Sequence, residues 1–381
     1  MALKAAQIAG IGIPNVGGKV PENASLCSTR LPQGVEMRRG GGLRPPKFVV
    51  IGHRGNGMNV LQSTDRRMNA FKENSILSFN AAADYLADFI EFDVQVTKDD
   101  CPVIFHDDFI LSQENDLISE KRITELSLAE FLSYGPQKGN GSGSGGKPLV
   151  RKTNDGKVVG WCVESDDALC TLQEALEKVS PSLGFNIELK FDDYLDYEEE
   201  QLLRPLRRIL QVVFDHGKDR PILFSTFQPD AALLVKKLQS AYPVFFLTNG
   251  GTEVYTDVRR NSLEEAVKLC VEGGLEGVVS EVKGVFMNPG AVNKIKESNL
   301  SLLTYGKLNN VAEAVYIQHL MGVDGVIVDF VQEITQAVSH MLNPPSSSDS
   351  EEEEEPQNPQ FSPKDLSFLL KLIPQLLIQQ H

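Results

Sequence analysis

Four short motifs place acidic, basic and imidazole side chains at the ends of apolar, strand-like runs. The motifs are VVIGHRG from Val49, FIEFDVQV from Phe89, PVIFHD from Pro102 and FNIELK from Phe185. Their polar residues are His53, Arg54, Glu91, Asp93, His106, Asp107, Glu188 and Lys190. Side chains two positions apart on a strand point to the same face, which pairs Glu91 with Asp93 and Glu188 with Lys190. Neighbouring strands in one sheet would bring all of these groups together.

Three of the four carboxylates in this set need a partner of opposite charge. Burying Glu91, Asp93 and Glu188 together without a cation would cost on the order of several kcal/mol in desolvation and repulsion. An all-oxygen set of ligands suits Mg²⁺ or Ca²⁺ better than Zn²⁺, which prefers nitrogen and sulfur. The sequence therefore predicts one divalent cation at this site, and leaves the choice between Mg²⁺ and Ca²⁺ open.

The two histidines lie outside this set of ligands. Imidazole titrates near neutral pH, so His53 and His106 can act as an acid and base pair on a substrate between them. Arg54 offers a planar fork and Lys190 a point charge for phosphate oxygens. With the divalent cation as a third positive group, they predict a cationic pocket for an anionic ligand. Each motif alone is also typical of a structural residue, such as a capping carboxylate. The combination is more specific than any of its parts.

Composition excludes several other classes of protein. The formal net charge of −15 argues against nucleic acid as the main partner, because phosphate backbones are bound chiefly by clustered Lys and Arg. No run of 18 apolar residues is available to span a bilayer. The five cysteines contain no CxxC pair, so they predict neither a disulfide framework nor a zinc site, and they favour a reducing compartment.

Residues 48–342 alternate short apolar runs with amphipathic helical patterns in about eight units. Strands buried on both faces have this appearance, and the alternation favours a (β/α)8 barrel, the TIM barrel, over a doubly wound sheet. No glycine-rich nucleotide-binding motif follows the first strand. In such a barrel, the side chains at the carboxyl ends of the strands share one mouth.

The remaining segments have different compositions. Residues 1–47 are poor in acids and predict either a transit peptide, which would direct the chain to a plastid, or a disordered tail on a cytoplasmic protein. Residues 135–160 are rich in Gly, Ser and Lys and predict a flexible insertion. Residues 343–361 predict an acidic disordered linker. Residues 362–379 predict an amphipathic helix that docks on the barrel or, as the less favoured alternative, contacts a membrane surface or a partner.

Taken together, five segments resemble the glycerophosphodiester phosphodiesterase family over roughly residues 48 to 342. They are GHRG, KENSILSFNAA, IEFDVQVTKDD, PVIFHDD and FNIELK. Four later segments look most like the plant members, including a plastid type: LFSTFQPDAALL, GVVSE, LLTYGKLNN and VDGVIVD. The resemblance implies a TIM barrel of the phospholipase-C-like phosphodiesterase type. It also implies hydrolysis of glycerophosphodiesters, such as glycerophosphocholine and glycerophosphoethanolamine, to sn-glycerol 3-phosphate and an alcohol, with a divalent cation.

The family motifs assign a role to eight positions. The resemblance implies that His53 and His106 are catalytic, that Arg54 and Lys190 contact the substrate phosphate, and that Asn74 supports the site. It also implies that the cation ligands are Glu91, Asp93 and Glu188.

The chain also departs from the family pattern. Lys72 stands where many members have proline, and the insertion near Gly139 has no counterpart in short bacterial forms. Thr304 and Tyr305 stand where a wall of the alcohol pocket is expected. These departures concern the choice of head group rather than the phosphate chemistry.

Two other functions remain open. A lysophospholipase D on the same barrel would need an apolar groove, which the C-terminal helix could supply through peripheral membrane contact. A non-catalytic scaffold would bind partners through the acidic linker and the tail. The favoured partner is a small glycerophosphodiester substrate.

Overall fold

The computed structural model describes residues 48–114, 117–136, 146–153, 156–193 and 195–342. The N-terminal extension, the acidic linker and the C-terminal helix that the sequence predicts lie outside the described residues. Those three predictions therefore remain predictions.

Thirteen strands run through the described residues. They are β1 (Val49–Gly52), β2 (Phe89–Val96), β3 (Pro102–Ile104), β4 (Phe109–Glu114), β5 (Leu117–Arg122), β6 (Leu149–Lys152), β7 (Val158–Gly160), β8 (Gly184–Leu189), β9 (Ile222–Thr226), β10 (Val244–Thr248), β11 (Gly277–Glu281), β12 (Ser301–Tyr305) and β13 (Gly325–Val328).

Eight of these strands close a parallel barrel. Following the chain, β1, β2 and β8 to β13 pair in that order, and β13 returns to pair with β1. The closing register places Val49 opposite Gly325, and Ile51 opposite Phe89 on the other side of β1. The predicted (β/α)8 barrel is therefore confirmed.

Ten α-helices accompany the strands within the described residues, with four short 3-10 helices. The α-helices are α1 (Ile76–Asp84), α2 (Leu128–Phe131), α3 (Leu172–Lys178), α4 (Glu199–His216), α5 (Pro229–Leu238), α6 (Leu263–Gly273), α7 (Val282–Met287), α8 (Gly290–Glu297), α9 (Ala312–Met321) and α10 (Val331–Leu342). The 3-10 helices are Arg66–Asn69, Ile123–Glu125, Val258–Arg260 and Lys307–Asn310. No helix among the described residues has both the length and the apolar character needed for a membrane span.

Local sequence signals account for the ends of several helices. The Ser75 side chain caps α1, and Thr171 with Glu174 forms a capping box at the start of α3. Gly274 and Gly322 end α6 and α9 in left-handed conformations, which glycine adopts readily. The longest helix is α4, and Pro205 lies inside it.

Apolar side chains pack on both faces of the barrel strands. One group fills the barrel interior and includes Ile51, Phe89 and Phe245. A larger group, which includes Phe92, Phe185 and Val278, lies between the strands and the surrounding helices. Burial on both faces explains why the strands read as continuous apolar runs rather than alternating ones.

A second, antiparallel sheet stands beside the barrel in the order β5, β4, β6, β7. Two of its strands, β6 and β7, lie within the 135–160 insertion, so the described part of that segment forms regular strands rather than a flexible loop. Residues 137–145 of the insertion lie outside the described residues. An apolar cluster under this sheet includes Phe105, Phe131 and Trp161.

Candidate active site

The turn after β1 explains why a histidine, an arginine and a glycine follow this strand. His53 continues the barrel ladder, since its amide donates to a β13 carbonyl at 2.9 Å. Arg54 then adopts a left-handed conformation (φ 49°), and Gly55 follows with φ 95°. A Cβ atom on Gly55 would lie 2.5 Å from Ser78 Oγ, so glycine is needed there. The turn directs the Arg54 amide toward Glu91 Oε2, 3.0 Å away.

Three carboxylates from β2 and β8 meet at the barrel mouth. Glu91 and Asp93 share one face of β2, and the ladder places Asp93 opposite Glu188 of β8. One oxygen from each of the three residues lies within 4.8 Å of the other two. Glu91 and Asp93 are buried, whereas Glu188 has 11% of its side chain exposed. The structure thus brings together the three side chains that the sequence predicted as cation ligands.

The protein supplies too little positive charge around Glu91 to keep its carboxyl group ionised beside Asp93 and Glu188. Burial, reinforced by the charges of Asp93 and Glu188, raises the pKa of Glu91 to about 8. Glu91 Oε1 is also buried without a hydrogen bond from any other described residue. A divalent cation would satisfy both the oxygen and the charge, and an all-oxygen donor set suits Mg²⁺ or Ca²⁺. The residues present therefore fit the predicted ion.

The predicted phosphate contacts, Arg54 and Lys190, lie against the same carboxylates. Lys190 Nζ lies 3.0 Å from Glu188 Oε1 and 3.8 Å from Asp93 Oδ1. Arg54 Nε lies 3.4 Å from Asp93 Oδ2, and Asn74 Nδ2 donates to that oxygen at 2.8 Å. Asn74, predicted to support the site, therefore orients the Asp93 carboxylate. The basic side chains of Arg54 and Lys190 lie at the edge of the three-carboxylate group.

His53 is held by a carboxylate at the end of the last barrel strand. Its Nδ1 lies 2.8 Å from Asp329 Oδ1, and its Nε2 lies 3.9 Å from Glu91 Oε2. Asn310 Nδ2 donates to the other Asp329 oxygen at 2.8 Å and so fixes the carboxylate. Burial alone would lower the pKa of His53, but the charge and hydrogen bond of Asp329 outweigh it and raise that pKa.

His106 reaches the mouth from outside the barrel. The prediction that PVIFHD forms a barrel strand is wrong. Its strand, β3, pairs antiparallel with the carboxyl end of β2 and is not one of the eight parallel barrel strands. The amide of Phe105 donates to Asp93 O at 3.0 Å, and Gln95 Nε2 donates to the Phe105 and Asp107 carbonyls at 2.9 Å. A buried hairpin therefore carries His106 to the same end of β2 as the acidic group.

A second carboxylate orients His106. Its Nδ1 lies 2.7 Å from Asp107 Oδ1. Burial, followed by the positive charges of Arg54 and Lys190, lowers the pKa of His106. Burial would raise the pKa of Asp107, but its hydrogen bond with His106 and the charge of Arg151 hold that pKa well below its usual range. In both histidines a carboxylate accepts from Nδ1, which leaves Nε2 for a ligand.

Among the described residues, protein groups alone do not make this pocket cationic, and the sequence expectation of a cationic pocket includes the divalent cation. Six carboxylates surround three permanently charged basic side chains. The carboxylates are Glu73, Glu91, Asp93, Asp107, Glu188 and Asp329, and the basic residues are Arg54, Arg151 and Lys190. Binding an anion there depends on local positive groups and on a cation.

Sequence reasoning gave no role to four residues of this site. Asp329 ends the quoted segment VDGVIVD, so the rule applied to the other barrel strands could have found it. Glu73 lies within KENS and receives Arg54 Nη1 at 2.9 Å. Arg151 and Asn310 carry no local signal of their own, since their partners are far away in the chain.

The side chains of Thr304 and Tyr305 point to opposite faces of β12. Thr304 faces the helix layer, where its hydroxyl donates to Gln318 Oε1 of α9 at 2.5 Å, so the expectation that it forms a wall of the alcohol pocket is wrong. Tyr305 packs with the inward-facing side chains, edge to face with Phe227, and its hydroxyl donates to Asn249 Oδ1. Only Tyr305 is placed to contact a ligand in the mouth.

Lys72, which replaces the proline of many family members, is buried. Its Nζ lies 4.0 Å from the centroid of the Trp161 ring and 4.0 Å from Asp166 Oδ1. Burial lowers the pKa of Lys72 to about 8. The lysine therefore belongs to the packing under the antiparallel sheet rather than to the mouth.

The fold is shared with solved phosphodiesterases. A phosphodiesterase of Oleispira antarctica, solved with the product sn-glycerol-3-phosphate, superimposes with a TM-score of 0.53 at 21% sequence identity, over 76% of this chain and 96% of that one. A glycerophosphodiester phosphodiesterase of Parabacteroides distasonis gives a TM-score of 0.54 at 21% identity, over 78% and 98% of the two chains.

Sequence similarity is much higher to a plant protein. Glycerophosphodiester phosphodiesterase GDPD1, chloroplastic, of Arabidopsis thaliana is 60% identical over 383 residues, which cover 100% of both chains. The model of the glycerophosphoryl diester phosphodiesterase family matches residues 53–333, a range that contains every residue of the site described above. This chain belongs to the glycerophosphoryl diester phosphodiesterase family.

Proposed function

We propose that this chain hydrolyses glycerophosphodiesters, such as glycerophosphocholine and glycerophosphoethanolamine, to sn-glycerol 3-phosphate and the free alcohol. The proposal rests chiefly on one observation: three carboxylates within 4.8 Å of one another share a barrel mouth with two histidines, each held by its own carboxylate. Membership of the family supports the same reaction, as does the product bound to the Oleispira antarctica enzyme.

Glu91, Asp93 and Glu188 would hold one divalent cation, Mg²⁺ or Ca²⁺. When bound, such an ion supplies positive charge against the negative charge that develops on the phosphate oxygens. Asn74 supports this arrangement by donating to Asp93, so that the carboxylate keeps one orientation while its other oxygen stays available.

The remaining steps belong to side chains of the protein. Arg54 and Lys190 bind and orient the phosphate group. Of His53 and His106, one removes the proton from the attacking hydroxyl and the other protonates the departing alcohol oxygen. Attack by water gives sn-glycerol 3-phosphate directly, whereas attack by the substrate's own 2-hydroxyl gives a cyclic phosphodiester that water must then open to yield the same product. Asp329 and Asp107 hold the two rings so that each Nε2 faces the substrate.

The test measures release of sn-glycerol 3-phosphate from glycerophosphocholine, first with a chelator and then with Mg²⁺ or Ca²⁺ added. Activity is expected only with the ion, and His53→Ala or His106→Ala should lower kcat by about 10²-fold or more. His216→Ala is the matched control, because His216 pairs with Glu177 on the surface and should keep full activity. Retention of most activity in either site variant would refute the acid and base pair.

The same assay separates two enzyme classes. Lysophosphatidylcholine serves as a second substrate, since a lysophospholipase D would release choline from it at a comparable or higher rate. The proposed function predicts a marked preference for glycerophosphocholine. The reverse preference would favour the lipid-directed enzyme.

We further propose that the chain acts in the plastid. A relative that is 60% identical over its full length carries the term chloroplastic in its name, and residues 1–47 have the composition of a transit peptide. Fusing residues 1–47 to a fluorescent protein tests this, and diffuse cytosolic fluorescence would contradict it.

A further inference from the structure

Arg151 lies on β6, outside the barrel, yet its guanidinium contacts two buried or half-buried carboxylates of the site. Its Nη2 lies 2.8 Å from Glu73 Oε1 and 3.2 Å from Asp107 Oδ1. Its Nε lies 2.9 Å from Asp107 Oδ2. One planar fork therefore bridges two acidic side chains that come from different loops.

Each of these carboxylates holds one residue of the proposed machinery. Glu73 Oε1, which receives Arg151, also receives Arg54 Nη1 at 2.9 Å. Asp107 Oδ1 accepts the hydrogen bond of His106 Nδ1 at 2.7 Å. Arg151 thus bridges Glu73, which holds the proposed phosphate-binding Arg54, and Asp107, which holds the proposed catalytic His106.

The guanidinium is itself fixed in place. Its central carbon lies 3.9 Å from the centroid of the Trp161 ring, and Trp161 Nε1 donates to Asn59 Oδ1 at 2.9 Å. The backbone amide of Asn59 in turn donates to Glu73 Oε2. Both oxygens of Glu73 are therefore occupied, and the side chain of Arg151 is only 15% exposed.

We propose that Arg151 is a positioning residue for the phosphodiesterase reaction: it holds Asp107 so that His106 presents Nε2 to the substrate, while Glu73 continues to hold Arg54. The proposal rests on the proposed function. The second sheet, which carries Arg151, thereby becomes part of the active site although none of its strands lines the barrel. A lysine at this position would offer a point charge that cannot bridge the two carboxylates in one plane.

A purely structural ion pair would affect stability and leave turnover intact, so the test separates kcat from stability. Arg151→Met and Arg151→Lys are expected to lower kcat at least about tenfold while changing KM less. Lys152→Met is the matched control, because Lys152 lies on the same strand and pairs with the exposed Glu120, and it should keep the kcat of the wild type. Arg151→Lys decides the outcome if Arg151→Met fails to fold. Wild-type kcat in Arg151→Lys would overturn the proposal.

A double-mutant cycle tests the route through Asp107. If Arg151 acts by holding Asp107, then Arg151→Lys should lower kcat little further in an Asp107→Asn background. Multiplicative losses in the double variant would overturn this route.

The tautomer of His106 provides a readout without turnover. In ¹⁵N spectra at about pH 8, above the usual histidine pKa, wild-type His106 should carry its proton on Nδ1, and Arg151→Lys should show a mixture of tautomers. His106→Asn identifies the signal. An unchanged tautomer in Arg151→Lys would overturn the proposal even if the protein hydrolysed no glycerophosphodiester, whereas an inactive wild type with the expected shift would refute only the proposed function.

Discussion

Cation binding should depend steeply on pH, because one of the proposed ligands is protonated in the cation-free site. Burial and the neighbouring carboxylates raise the pKa of Glu91 to about 8. Below that pH the group carries a proton that an incoming ion must displace, so affinity falls as pH falls. The loss should approach about tenfold per pH unit below 8, with about one proton released per ion near neutral pH.

The other groups near the ion contribute less to this slope. Asp93 has a pKa lowered to about 2: burial raises it, but the charges of His106, Arg54 and Lys190 outweigh that effect. Asp93 therefore stays ionised over the range measured. His53, close to Glu91, would also oppose the ion when protonated, so His53→Asn is measured in parallel to remove its contribution.

Titration calorimetry on chelator-treated protein measures both the affinity for the cation and the number of protons released. Mg²⁺ and Ca²⁺ are titrated at about pH 8.5 and about pH 6.5, each in two buffers with different heats of ionisation, which counts the protons released. Glu91→Gln is the control and should bind more weakly with little dependence on pH. Equal affinity at both pH values, with no proton release, would refute the argument that Glu91 is a ligand that loses a proton when the ion binds.

Three further changes separate the roles of residues near the mouth. Gly55→Ala should destabilise the fold by at least about 2 kcal/mol, because φ is 95° and the added Cβ would meet Ser78; a melting temperature equal to that of the wild type would contradict this. Asp329→Asn should lower kcat by about tenfold or more with little change in KM, since an amide nitrogen facing Nδ1 would donate to it and favour the His53 tautomer with its proton on Nε2; an unchanged kcat would show that the contact is not used. Thr304→Val should lower the free energy of unfolding by about 1–3 kcal/mol in chemical denaturation and leave kcat unchanged, because the hydroxyl donates outward to Gln318. A change in substrate preference would indicate that Thr304 does line the alcohol pocket.

Most of the barrel could be predicted from the sequence because its strands are buried on both faces. Each such strand reads as a continuous apolar run, and helical patterns separate one run from the next. The sequence predicts a barrel strand where a hairpin carries His106, since PVIF has the same apolar appearance. Only pairing partners distinguish a parallel barrel strand from one arm of a hairpin, and pairing is not a local property.

The acidic residues of the site were also predictable, because a period of two sets the face of each side chain. Glu91 with Asp93, and Glu188 with Lys190, follow from that rule alone. The insertion was harder to interpret: its Gly and Ser content predicted flexibility, whereas its described part forms β6 and β7 and supplies Arg151.

By itself, the sequence determined the class of fold, the acidic side chains that face one mouth and the two histidines beside them, since these depend on local periodicity and strand ends. His106 is oriented by its neighbour in the chain, Asp107, but tertiary structure alone decided which distant groups complete the site. His53 meets Asp329 across 276 positions, and Arg151 meets Glu73 across 78. Such contacts leave no pattern along the chain, because they form only when the barrel closes and the second sheet packs against it.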